Sequence, residues 1–237
     1  MTRLLILALL AVSACAPVYI PNVRNSPMFT KGGEFQASVQ IGNGIEAQSA
    51  AAVTDHFAIM ANYLYINVTD TEDKDDYFRH TFFEGAIGYF SNKDDSFFEV
   101  FAGYGRGKGS TNDAFDFLGS SNSLAATGRY ERYFIQPGFG LNRKTVDLSF
   151  APRISMVDFY EFSTEVSRNP IHESPKFFFE PAVIGRANFA NNKMFFVFQG
   201  GVSLGMSENI YFDRRNFQLS AGFGLRLGGR KESISRL

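Results

Sequence analysis

The chain has 237 residues, with 23 Lys+Arg against 24 Asp+Glu and a net charge of −1, so it lacks the basic surplus that nucleic-acid binding requires. Twenty-seven Phe and 10 Tyr stand beside 22 Gly, without a Trp. No amphipathic helical repeat of useful length follows residue 14, which disfavours a helical soluble domain and points to a single all-β domain.

Residues 1–14 contain Arg3, the apolar run Leu4 to Val12 and the small pair Ser13-Ala14, the order of an export signal. The run is shorter than the about 20 residues that a spanning helix needs. Val12-Ser13-Ala14-Cys15 resembles a bacterial lipobox, and lipidation would use the chain's single Cys, which in an oxidising compartment is otherwise an unpaired thiol. Residues 15–33 then read as a lipid-anchored periplasmic linker. No Asp follows Cys15 as an inner-membrane retention signal would have it, so the lipid is expected in the inner leaflet of an outer membrane.

From Glu34 the chain alternates at period two, the mark of strands with one apolar and one polar face. Ten strands are expected, over residues 34–42, 44–54, 57–68, 78–90, 96–107, 128–141, 145–162, 176–189, 193–206 and 215–227, with 8–12 as the range. Most reach the roughly 9–11 residues of a tilted membrane strand, beyond the about 5–6 of a globular one. Short turns at 55–56, 92–95, 142–144 and 190–192 alternate with longer polar connections at 69–77, 108–127, 163–175 and 207–214, as in outer-membrane barrels with short periplasmic turns and long outer loops. The tight Gly42-Asn43-Gly44 hairpin is the exception on the long-loop side. An even strand number puts both barrel ends on the periplasmic side. The expected fold is a closed, up-and-down antiparallel transmembrane β-barrel over residues 34–227, followed by a basic tail, 228–237.

One strand face carries Phe83, Ile87, Ile135, Phe139, Phe198 and Val202; the other carries Glu84, Glu99, Arg132, Asp147, Arg153, Glu180, Arg186 and Arg226. A charge facing lipid costs about 2–4 kcal/mol at mid-depth, so the charged face must point inward. Four acids and four bases form a neutral set, which suits a paired, closed lumen better than an ion pore of one dominant sign. Pro137, Pro152 and Pro181 fall inside expected strands and predict irregularities there.

Ser220 to Leu227 resembles the β-signal recognised by the barrel-assembly machinery, with Gly222, Leu225 and Leu227 at its Gly and hydrophobic positions. With the lipobox, Tyr19-Ile20-Pro21-Asn22 and the Phe29 to Phe35 lead-in, the mature chain resembles small outer-membrane β-barrel lipoproteins of Bacteroidetes-type bacteria. That resemblance implies location and architecture, with outer-membrane lipids and the assembly machinery as partners. It transfers no catalytic residue.

Chemistry finds little purchase. His172-Glu173-Ser174, with Glu180 as orienting acid, is similar to the His-x-Ser pair of lipid A deacylase barrels, but it sits between Pro170 and Pro175 in an expected loop rather than on a rigid element. Asp70, Glu72, Asp73, Asp75 and Asp76 offer hard oxygens without an ordered calcium spacing. The three His match no zinc pattern. The expectation is therefore no enzyme, no metal and no cofactor beyond the lipid on Cys15, with a structural or surface-interaction role. Two alternatives stay open: an outer-membrane channel for ions or small solutes, and a periplasmic lipid-anchored barrel whose Phe faces line an apolar ligand cavity.

Overall fold

The computed structural model describes residues 17–69, 77–112, 125–164 and 174–228. Alternation folds as pleated strands: β1 (Phe35–Ile41), β2 (Ile45–Ala52), β3 (Phe57–Thr69), β4 (Tyr77–Lys93), β5 (Ser96–Asn112), β6 (Ala126–Asn142), β7 (Val146–Phe150), β8 (Ile154–Thr164), β9 (Lys176–Phe179), β10 (Ala182–Phe189), β11 (Met194–Val202), β12 (Leu204–Gly205) and β13 (Phe217–Leu227). Neighbours pair antiparallel around a ring that β13 closes against β1, from Phe35↔Leu227 to Ile41↔Ala221.

Three staves are each split in two, so the thirteen segments make a ten-strand closed barrel. Pro152 lies in the gap between β7 and β8, and Pro181 in the gap between β9 and β10. Proline has no N–H to give to a ladder, and the chain bridges these facing gaps with Ala151 N to Ala182 O (2.9 Å) and Glu180 N to Arg153 O (2.7 Å). Pro137 stays in register within β6, opposite Val100. The largest boundary shift is at the fifth and sixth strands: β5 and β6 continue pairing to Thr111↔Ala126, so the hairpin is taller, and the connection at its tip shorter, than 108–127.

Side chains sort as lipid-facing strands demand. Ile87 (71% exposed), Phe83, Ile135, Phe198, Leu219 and Phe223 point outward, while Glu84, Glu99, Arg132, Gln136, Arg153 and Glu180 are fully buried inside. The charges lie inside, and the Phe faces read from the sequence, with Phe83, Phe139 and Phe198, lie outside, the reverse of what the ligand-carrier alternative requires. Towards the long-loop end the outer wall of β5, β6 and β8 turns polar, with Arg106 paired to Glu131 at 2.5 Å and Arg129 to Glu161 at 3.2 Å, both pairs outside the lumen.

The largest departure from the sequence reading lies at the N-terminus. Residues 18–29 do not hang below the barrel as a linker; every one is buried. Val18 and Tyr19 donate backbone N–H groups to Asp213 O at the long-loop mouth (3.1 Å each). At the short-turn mouth, Thr30 and Lys31 donate to Glu34 Oε1 (2.9 Å each), and Gly32 donates to Asp55 Oδ1 (2.8 Å). The segment therefore runs the length of the lumen. At up to about 3.3–3.6 Å per residue, Val18 to Thr30 can reach roughly 40 Å, more than the apolar band of about 25 Å. The physical reason is composition: Asn22, Arg24, Asn25 and Ser26 find partners among the inward charges and amides that no apolar surface could offer.

Inward glycines make room. A Cβ on Gly109 would collide with Val18 O, and one on Gly107 would collide with the Tyr130 ring. Replacing outward Ile87 with Arg should cost about 2–4 kcal/mol of stability if β4 spans a bilayer, read from urea unfolding in lipid vesicles; an unchanged midpoint would refute a lipid-facing position.

Candidate functional site

Among the described residues, polar chemistry is concentrated in the lumen, and the occupant of the lumen is the chain itself. Residues 18–30 form no strand within the barrel; a single bridge joins Tyr19 to Arg214. Their backbone groups are enclosed and need side-chain partners, which the inward rows of the wall supply. Gln199 takes both sides of one residue: Arg24 N donates to its Oε1 (2.8 Å), and its Nε2 donates to Arg24 O (3.1 Å). Glu46 accepts from Val23 N through both oxygens (3.0 and 2.8 Å), and Gln48 Nε2 donates to Val23 O (3.1 Å). Further along, Gln136 Nε2 donates to Asn25 O (2.8 Å), Arg186 donates to Ser26 O (2.7 Å) and Pro27 O (2.9 Å), Glu99 Oε2 accepts from Met28 N (3.1 Å), and Asn142 Nδ2 donates to Met28 O (3.1 Å). Gln218 donates to Pro21 O and Asn22 O.

The eight charges singled out in the sequence all lie inside, but not as four simple pairs. Glu84 sits between Arg132 and Arg153, its carboxylate bonded to both guanidinium groups and to Asn22 Nδ2 (2.8 Å) and Asn62 Nδ2 (2.7 Å). Arg132 lies 4.2 Å from the Phe82 ring centre and Arg153 4.1 Å from that of Phe134, so rings cover the faces that carry no hydrogen bonds. Glu180 accepts from Tyr19 OH (2.9 Å), Ser155 Oγ (2.7 Å) and Ser203 Oγ (3.2 Å), with Arg24 at 3.5 Å. Asp147 holds Arg226 at 3.6 Å and accepts from Asn188 Nδ2 (2.9 Å) near the short-turn end. Glu99 and Arg186 both reach the threaded segment, Glu99 also through Ser26 Oγ, and Arg186 also donates to Gln36 of the wall (2.9 Å).

Sequence reasoning missed Glu46, Arg24 and the inward amides Gln36, Gln40, Gln48 and Asn62, all buried. The signal is present. Gln36, Gln40, Glu46 and Gln48 fall on the inward phase of β1 and β2 and continue the polar face of the later strands, while Arg24 lies in a stretch that reads as a linker. Adding Glu34, Glu46, Arg24 and Lys176 to the set keeps the buried acids and bases balanced at six each.

The lumen is layered. At the long-loop end Tyr19 packs among Tyr130, Phe178 and Phe212, with Leu64, Phe82 and Phe159 in the same cluster. The charged layer lies in the middle. Towards the short turns, Phe29 packs in a cluster with Phe90, Phe101 and Phe134, and Met28 in another with Phe97 and Phe195.

Most of the candidate catalytic and metal residues lie outside the described residues. Ser174 is exposed, while His172, Glu173 and the acidic run 70–76 lie outside the described residues, as do Cys15 and residues 229–237. Glu180, the supposed orienting acid, is already engaged by four lumen groups. His56 stacks on Tyr89 at a short turn, and His80 is buried beside Tyr130 OH (3.0 Å). Among the described residues, no group of three or more His, Cys, Asp or Glu could hold a metal ion. Of the assembly-signal positions, Gly222 faces inward at the closing seam, where a Cβ would collide with Val39 O, and Leu225 and Leu227 face outward.

Changing Arg153 to Met should destabilise the barrel by about 3–5 kcal/mol, because it leaves part of the Glu84 charge buried without its partner. Pairing it with Glu84→Leu should recover a large part of that loss. Urea titrations of the two single variants and the double variant in detergent measure the coupling, and additive losses would show that the pair is not coupled.

No family model and no curated protein matches the chain. Among solved structures it is similar to the translocator domain of the autotransporter NalP from Neisseria meningitidis, at 11% identity and a TM-score of 0.46, over 81% of this chain and 85% of that one.

Proposed function

We propose that the chain is an integral outer-membrane β-barrel lipoprotein that keeps its lumen shut with its own N-terminal segment and acts as a structural or surface-interaction protein rather than as a conduit. The export signal and the lipobox ending at Cys15 support the location and the lipid. The β-signal pattern at Gly222, Leu225 and Leu227 supports delivery by the barrel-assembly machinery, and the apolar outer band supports outer-membrane lipids as its solvent. With short turns on the periplasmic side, as such barrels have them, the barrel ends at Phe35 and Leu227 are periplasmic. No enzymatic step and no cofactor beyond the lipid on Cys15 are part of this reading.

The observation that carries it is the filled lumen. The charged layer is bonded to Tyr19, Asn22, Arg24 and Ser26, and Glu84, Glu99, Arg132, Arg153, Glu180 and Gln199 have no exposed surface. An open path would need water where these groups now meet the threaded chain. In planar bilayers the full chain should therefore give no unitary conductance, whereas a variant with residues 19–28 replaced by a Gly-Ser run of equal length should give steps or flickering current. Regular steps from the unaltered protein would favour the channel alternative instead.

A further inference from the structure

The direction of the threaded segment has a consequence for the lipid. Its C-terminal end, Thr30, is at the short-turn mouth, where Gly33 turns with φ +80° into β1. Its N-terminal end is at the other mouth: Val18 packs against Gly109 and Gly128 near the tips of β5 and β6, Val18 and Tyr19 are held by Asp213, and Arg215 N donates to Tyr19 O (3.1 Å). Cys15 is two residues before Pro17, within about 8 Å of it along the chain. The filled lumen leaves no route back to the short-turn side.

We propose that the acyl groups on Cys15 lie at the long-loop face of the barrel, in the outer leaflet, so that the protein carries its lipidated end through its own lumen to the cell surface. The assignment rests on the lipoprotein reading above, and it replaces the inner-leaflet position expected from the sequence.

The rim is shaped for this on one side only. Where β4, β5 and β6 have 17 residues each, β1 and β2 have 7 and 8 and are joined by the tight Gly42-Asn43-Gly44 turn. Around this hairpin the outer face is apolar close to the rim, with Ile41 (71% exposed), Ile45 and Leu219, and Asn43 in the turn accepts from Arg215 Nη1 (3.3 Å). Hydrocarbon can therefore reach the edge of the barrel there, while the tall side presents Arg106, Lys108, Arg129, Glu131 and Glu161 outward. The hairpin that broke the long-loop pattern is thus a low sill beside the mouth at which the described chain begins. Because the lumen has no free bore, the segment must be enclosed before β13 pairs with β1, not pulled through afterwards.

The test uses two versions of the full chain on intact cells, one with an epitope inserted after Ala16 and one with the same epitope after Leu237, together with mass spectrometry of the N-terminal peptide. The expected result is an acylated Cys15, an N-terminal epitope open to antibody and added protease, and a C-terminal epitope reached only after the outer membrane is permeabilised. An acylated protein whose N-terminal epitope is shielded until permeabilisation overturns the proposal. An N-terminal peptide without acyl mass overturns the lipoprotein reading, and with it this placement of the lipid. Tyr19→Ala, which removes a lumen anchor and leaves Cys15 intact, should raise protease cleavage within residues 18–30 several-fold without abolishing acylation.

Discussion

An enclosed peptide backbone without a strand partner is the constraint on which this structure turns. Residues 18–30 cross the barrel as irregular chain, and each amide or carbonyl without a bond there would cost free energy on the order of 1–3 kcal/mol. The wall meets that demand with long polar side chains: Gln199 on Arg24, Glu46 and Gln48 on Val23, Gln136 on Asn25, Glu99 on Met28, Arg186 on Ser26 and Pro27. The polar face of the strands is thus complementary to a particular stretch of chain and is more than a set of charges that neutralise one another.

That complementarity ties together features that otherwise look unrelated. The inward glycines of β5 and β6 are where the segment and the aromatic side chains need space. The gaps at Pro152 and Pro181 bring Arg153 and Glu180 into direct backbone pairing, and from there their side chains reach Glu84 and Tyr19. Gln36 and Gln40 line the β1–β13 seam on the inside, and Gln36 accepts from the same Arg186 that holds Ser26 and Pro27, so ring closure and the seating of the segment share residues. An apolar cluster at each end excludes water from the charged layer, which strengthens its hydrogen bonds and makes each one costly to lose.

Much of the barrel was legible because its solvent imposes a strict code. Period-two alternation, strand lengths near those of a tilted span, and alternating short and long connections each follow from local spacing, and the ten staves lie close to where that spacing puts them. The phase of the alternation, with Ile87 and Phe83 on one side and Glu84 on the other, is enough to decide which face meets lipid. The splits at Pro152 and Pro181 follow from a missing N–H. The continuation of the β5–β6 hairpin beyond residues 107 and 128 was not legible, because above the apolar band the alternation no longer carries an apolar signal.

The threaded segment was illegible for a different reason. Tyr19 to Phe29 has no periodicity, two prolines and mixed polarity, which is how an exposed linker also reads, and nothing local distinguishes a chain solvated by water from one solvated by side chains. By itself the sequence determined the strand faces, the closed ring and the presence of a balanced inward charge set, since these depend on alternation and on the cost of charge in lipid. Only the tertiary structure decided what fills the ring, how Glu84, Glu99 and Glu180 share their bonds, and at which mouth the N-terminal end emerges. Those depend on contacts between residues as much as 197 positions apart, which form only once the barrel closes around the segment.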